Sequence, residues 1–336
     1  MIVLGIDTSC DDTSVAVVEN GRFVKSNATH SQIASHRPYG GVVPELASRE
    51  HLKNIMPVAE KAISSSGLSL QDMDGIAVTI GPGLIGSLLV GVYYAKSLAY
   101  ATGKPFIGIN HLEGHILSAF LEVETPSFPF ICLVVSGGHT SFYEIIDFCR
   151  YRPLGHTLDD AAGEAFDKVA KILGLGYPGG PEIEKISAEG RSDLIKFPRA
   201  MLGKDSFDSS FSGLKTSVSI FVEQWRSGKH SNTDIAIADI AASFQKALID
   251  VLVQKAYLAL KITRAKSIVV SGGVACNGFL RSAIKNMAEQ INVSTHFPRP
   301  SYCTDNGAMI ATAGYYHLIK GEKTALDTDV KSRFPI

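Results

Sequence analysis

Ile2-Val3-Leu4-Gly5-Ile6, then Asp7-Thr8-Ser9-Cys10-Asp11-Asp12, then Thr13-Ser14-Val15-Ala16-Val17-Val18: an apolar run, a polar turn, an apolar run. The first run is largely β-branched and the turn is rich in Asp and Ser, so the segment predicts a β-hairpin. Asn20-Gly21 is a tight-turn dipeptide, and Phe23–Ala28 predicts a third strand. A helix is expected over 45–66, where Leu46, Leu52, Ile55, Met56, Ala59 and Ile63 recur near helical spacing. Ile76-Ala77-Val78-Thr79-Ile80 predicts a buried strand, Gly81-Pro82-Gly83 a turn, and residues 85–101 a second helix.

The same grammar returns. Phe130-Ile131-Cys132-Leu133-Val134-Val135 predicts a strand, Ser136-Gly137-Gly138-His139 a turn, and Thr140–Ile146 the return strand. Ser267-Ile268-Val269-Val270 then runs into Ser271-Gly272-Gly273 and a helix over 278–290. The chain therefore carries two copies of one α/β plan, with glycine turns facing a ligand cleft between the halves. Asp7 and Gly81 lie 74 positions apart and Ser136 and Gly272 lie 136 apart, so the second copy is the longer one. Its surplus falls near 150–235, a Gly/Pro-punctuated stretch (Tyr177-Pro178-Gly179-Gly180-Pro181) that reads as an inserted helical subdomain. We place one lobe at 1–115 plus 305–336 and the other at 116–304.

Composition bounds the rest. At 336 residues, 45% hydrophobic and 19% charged, the chain can bury a large core, which excludes disorder from charge excess. Lys+Arg 32 against Asp+Glu 33 advertises no polycation. The stretch 251–299 is an exception, with seven basic residues (Lys255, Lys261, Arg264, Lys266, Arg281, Lys285, Arg299) and one acid, Glu289: either a basic face for nucleic acid or a solvated surface. Five scattered cysteines without a C-x-x-C pair fit a reducing compartment. No basic leader precedes the first strand, and Gly81-Pro82-Gly83 interrupts the uncharged run 75–95, so a cytoplasmic protein without a membrane span is expected.

Several segments could carry chemistry. Asp7, Asp11 and Asp12 crowd the first turn; a carboxylate approaches a phosphate only through a metal or its waters, whereas Thr8, Ser9 and the turn amides can donate directly. Ser136-Gly137-Gly138-His139-Thr140 is suited to an oxyanion or phosphate, and Ser271–Asn277 leads into a helix N-terminus. Neither is a P-loop, and no G-x-G-x-x-G joins a strand to a helix. His111-Leu112-Glu113-Gly114-His115 puts two imidazoles at i and i+4 on one helix face, where they could share a metal. It differs from the peptidase helix H-E-x-x-H because Glu113 sits at i+2, about 200° round from His111 and off the metal face. For a third ligand Asp305 and His139 compete, although from its position alone Asp305 reads first as the N-cap of the final helix. Asp167, on a helix within Gly163–Lys168, either binds a hydroxylated ligand or pairs with Lys171.

Together, Gly5–Ser9 with Asp11-Asp12-Thr13, His111–His115, Ser136–Thr140, Gly163–Lys168, Ser271–Asn277 and Thr304–Ala308 resemble the TsaD family, also called Gcp or YgjD, in order along most of the chain. The resemblance implies a duplicated actin-like ATPase fold, the one shared by sugar kinases and heat-shock chaperones. It implies transfer of a threonylcarbamoyl group from threonylcarbamoyl-AMP to the exocyclic amine of the adenosine just after the anticodon. It also implies one iron or zinc ion on His111, His115 and Asp305, and an adenine nucleotide at Val135, Ser136, Gly137, Gly138, His139, Asp167, Gly180 and Asn277. Glu184 matches a position where many relatives carry Asp. Asp11 is our candidate proton acceptor. The partners implied are tRNA, TsaB and TsaE proteins, and a TsaC-type enzyme that supplies the adenylate. The rival classes are a small-molecule kinase and a nucleotide-binding scaffold of the same fold; the family's old endopeptidase label conflicts with the placement of Glu113.

Overall fold

In the computed structural model, which describes residues 1–200, 206–229 and 234–336, β1 (Ile2–Asp7) pairs antiparallel with β2 (Asp12–Glu19), and β2 with β3 (Phe23–Ser31). The short helix α1 (Ile33–His36) and the long α2 (Pro44–Ser66) lead to β4 (Gly75–Gly81), which lies parallel to β1. Helix α3 (Ile85–Thr102) leads to β5 (Phe106–Asn110), parallel to β4, and α4 (His111–Leu117) follows without a loop. The sheet order is β3-β2-β1-β4-β5. Parallel β1, β4 and β5 end at one edge, so the residues following each strand are gathered there.

The second sheet repeats this plan. β6 (Phe130–Val135) pairs antiparallel with β7 (Thr140–Asp147), and β8 (Arg150–His156) is the next neighbour. Four helices follow: α5 (Ala162–Leu173), α6 (Gly179–Ser187), α7 (Ser212–Arg226) and the long α8 (Ile237–Thr263). β9 (Ser267–Ser271) lies parallel to β6, and after α9 (Gly278–Gln290) β10 (Ser294–His296) lies parallel to β9. The order β8-β7-β6-β9-β10 matches the first sheet strand for strand. β8, α5, α6 and α7 occupy most of the surplus near 150–235; its residues 201–205 and 230–233 lie outside the described residues.

Two further helices, α10 (Pro300–Cys303) and α11 (Gly307–Ile319), complete the first unit. Leu4, Ile6, Val15 and Val17 share a core with Ile55, Val58 and Ala59 of α2 and Val92 and Ala95 of α3. Strand side chains alternate, so Gly5 faces the other way. A Cβ there would stand 2.2 Å from Gly307 O, which means that α11 lies directly on β1. With both faces covered, β1 reads as an unbroken apolar run.

The chain divides into two compact units: 1–126 with 147–150 and 298–336, and 127–146 with 151–297. Among the described residues no helix is long and apolar enough to cross a membrane; the uncharged stretch 75–95 is β4, a turn and the first half of α3.

Candidate functional site

In the first unit the convergent strand ends place chemistry together. Asp7 closes β1, and His111 follows the end of β5. Asn110 caps α4: its Oδ1 accepts from Leu112 N at 2.9 Å while its Nδ2 donates to Phe334 O at 2.7 Å. One helical turn then brings His115 edge to face with His111, the ring centroids 4.7 Å apart. At the start of α11 the cap is Asn306, whose Oδ1 accepts from Met309 N at 2.9 Å. Asp305 is therefore not the N-cap; its Oδ1 lies 3.4 Å from His111 Nε2 and 3.1 Å from His115 Nε2.

His115 is fully buried, yet neither ring nitrogen makes a well-formed hydrogen bond, although Nε2 lies beside the Asp305 carboxylate. Two imidazoles and a carboxylate around one point, with a buried nitrogen unsatisfied, form a donor set that suits Fe²⁺ or Zn²⁺. The other nitrogen of His111, Nδ1, lies 3.2 Å from Ser9 Oγ and 3.5 Å from Asp7 Oδ2. That partnership directs Nε2 toward Asp305. Glu113 is on the opposite side of α4, its Oε1 2.9 Å from His317 Nε2, so no carboxylate from the helix stands where a peptidase needs its base. His139 belongs to the second unit.

The electrostatics follow from crowded acids. Burial favours neutral His111, but Asp305 and Asp7 outweigh it and push its pKa up to about 10. Burial likewise opposes the Asp305 charge, and His111 with His115 overcomes it, holding that carboxyl well below the usual range. Asp11 is pushed up by burial and by the Asp305 charge. Asp12 is pushed up to about 7, by burial first and then by Asp305 and Asp11. His51 was missed by the sequence reading: its Nε2 donates to Cys10 O at 2.9 Å and its Nδ1 meets Thr13 Oγ1 at 2.7 Å, bracing the acidic turn from α2. Its only signal was a histidine among the buried positions of an amphipathic helix.

In the second unit, the parallel strands β6 and β9 deliver their turns to one edge. Ser136 N donates to His139 O at 2.8 Å and His139 N to Ser136 Oγ at 3.2 Å, closing the turn after Val135, which is itself buried. A Cβ on Gly137, Gly138, Gly180 or Gly273 would meet nothing within 4 Å, so their backbone is open to a close ligand. Gly272 is different: with φ +95° and a virtual Cβ 2.4 Å from Val135 O, it admits no side chain. Asp167 Oδ1 accepts from Gly179 N at 2.7 Å, orienting the start of α6, and Glu184 Oε1 accepts from Gly278 N at 2.6 Å. Asn277 caps α9 through Leu280 N and donates to Gln245 Oε1 at 2.8 Å. Gln245 had no motif to mark it; it is a buried amide on the apolar helix α8.

The basic stretch 251–299 is not one face. Lys255 is buried, donating to Ser206 O at 2.6 Å, and Arg299 belongs to the first unit, where it pairs with Glu122 at 2.9 Å. Arg281 and Lys285 both lie over the Phe297 ring.

Comparison with known proteins adds the lineage. A family model described as TsaD, tRNA N6-adenosine threonylcarbamoyltransferase, matches residues 23–312. The tRNA N6-adenosine threonylcarbamoyltransferase of Thermodesulfovibrio yellowstonii is 50% identical over 336 residues, covering 100% of both chains. Among solved structures, full-length HypF in its phosphate- and nucleotide-bound form gives a TM-score of 0.64 at 14% identity, over 95% of this chain and 46% of that one. The ROK hexokinase from Thermus thermophilus gives 0.51 at 14% identity, over 96% and 99%. These distant likenesses carry the fold: the two repeated α/β sheets are those of the duplicated actin-like ATPases.

Proposed function

The chain belongs to the TsaD family, tRNA N6-adenosine threonylcarbamoyltransferase, and from that membership we propose that it moves a threonylcarbamoyl group from threonylcarbamoyl-AMP to the N6 amine of the adenosine immediately after the anticodon in tRNAs reading ANN codons. The observation that supports the chemistry is the trio His111, His115 and Asp305, with its unsatisfied imidazole nitrogen. An iron or zinc ion bound there would polarise phosphate or carbamoyl oxygens and offset the charge that develops on them.

The remaining work falls to the chain's own groups. Asp7 and Ser9 hold His111 in the ring orientation that presents Nε2. The amides of Gly137 and Gly138, in the turn that Ser136 and His139 close, would donate to the adenylate phosphate, and Asp167, Gly180, Glu184 and Asn277 would frame the rest of the nucleotide. The tRNA amine attacks the carbamoyl carbon, the bond from that carbon to the phosphate oxygen breaks, and AMP leaves with the electron pair. The amine must shed one proton, and an exocyclic purine amine is a poor nucleophile, so a nearby base and firm positioning matter. Asp11 suits that role, because burial and the Asp305 charge make it more basic than an ordinary carboxylate. The same family membership is the ground for proposing TsaB and TsaE proteins as partners.

A reconstituted assay with threonylcarbamoyl-AMP and tRNA tests the assignment. Asp11→Asn should lower the transfer rate by roughly 10²- to 10⁴-fold, the range of a general base, and His111→Ala should abolish measurable transfer. Wild-type rates in both variants would overturn it.

A further inference from the structure

Helix α4 carries a second set of ligating side chains on its other side. Glu113 lies about 200° round from His111 on the helix and is buried. Its Oε1 is 2.9 Å from Nε2 of His317, near the end of α11. Cys149, in the 147–150 segment that packs with this unit, completes the cluster and hydrogen-bonds His317. One ligand atom from each of Glu113, Cys149 and His317 lies within 4.8 Å of the others. The far nitrogen of His317 is engaged as well: Nδ1 lies 2.5 Å from Glu322 Oε2.

We propose that Glu113, Cys149 and His317 form a second metal site, distinct from the His111/His115/Asp305 centre, for a borderline-soft divalent cation of the Zn²⁺ type. The donor chemistry selects the ion. A thiolate, an imidazole and a carboxylate together suit zinc, whereas magnesium or calcium would call for oxygens alone. Glu322 on Nδ1 reproduces the carboxylate–histidine–metal arrangement: it keeps the Nδ1 proton, and an ion at the cluster would replace the proton that Nε2 donates to Glu113. The ligands come from α4, the 147–150 segment and α11, so the ion ties the helix that bears His111 and His115 to two further elements. Three protein ligands leave the fourth tetrahedral position for water. The site therefore acts as a clip on α4, and it goes beyond the transfer chemistry of the first centre.

Cobalt(II) titration of the metal-stripped full-length chain separates the two sites, because only the second contains a sulfur ligand. The wild type should bind about two equivalents and develop a thiolate-to-cobalt charge-transfer band, and Cys149→Ser should remove the band and leave about one equivalent. The band should persist in the His111→Ala/His115→Ala double variant, so failure of the transferase assignment would not mask this one. Glu322→Gln should weaken cobalt binding at the thiolate site by roughly 10- to 100-fold without removing the band, as expected of an orienting carboxylate. A wild type that shows no thiolate band, or a band that survives Cys149→Ser, overturns the proposal.

Discussion

Asp7 is where one residue's chemistry is most exposed to test. Its carboxylate is fully buried and faces His111 Nδ1, and its Oδ1 also accepts from Ser9 N at 3.2 Å. A buried carboxylate on the far side of a ligating imidazole raises the basicity of that ligand and restricts its rotation. Asp7→Asn keeps the shape and removes the charge; metal affinity at the His111/His115/Asp305 centre should fall by roughly 10-fold or more, read by competition with a chromogenic chelator. An affinity unchanged by the substitution would mean that Asp7 serves the turn alone. At this scale the sequence was informative about neighbours and silent about strangers. The i, i+4 spacing of His111 and His115 was enough to bring their rings together. Whether Asp305 capped a helix or faced the histidines depended on Asn306, the next residue, taking the cap in its place.

At the scale of the element, α4 is short, seven residues, and a helix of that length is not stable by propensity. It is held by its cap, by close packing and by the tail of the chain. Gly114 lets it approach α11, since a Cβ there would lie 2.8 Å from Ile310 Cδ1. Asn110 serves twice, capping Leu112 N and donating to Phe334 O. Asn110→Ala should therefore cost about 1–2 kcal/mol, the range for a lost cap, measured by urea unfolding. It should also loosen metal binding, because the helix that presents both imidazoles begins at the next residue. A variant as stable as wild type would show that the tail and the packing suffice. β1, β2, β4, β6, β7 and β9, the glycine turns and α2, α3 and α9 were legible in the sequence to within a residue or so, because both periodicities and turn chemistry are local, whereas β3 runs three residues past the expected end and β5, β8 and β10 were not anticipated. The partners of Gln245 and His51 were not, because a buried polar side chain on an apolar helix names no partner until the helix is packed.

For the whole molecule, pH is the global probe. Arg191 hydrogen-bonds Asp239 at 2.9–3.0 Å, and these bonds hold the Asp239 carboxyl below its usual range against the opposing effect of burial. The folded state thus binds this proton less readily than the unfolded chain does. The resulting stabilisation is complete above the ordinary carboxylate pKa, about 4, and is lost as pH falls through the depressed value. Asp239→Asn should be less stable than wild type at neutral pH, with a gap that stays constant down to about pH 5 and then closes with acid. Parallel thermal melts check this, and a gap that widened in acid would reverse the sign of the linkage. The amino-acid sequence alone determined the repeated α/β plan, the glycine turns and the pair of imidazoles, since each is written in residues close along the chain. Tertiary structure alone decided which residues meet: parallel β1, β4 and β5 bring Asp7 to His111, α11 folding back on β1 brings Asp305 to both histidines, and the same packing gathers Glu113, Cys149 and His317. Such encounters join positions far apart in the chain, and hydrophobic burial on both faces of a sheet fixes them without leaving any local signature.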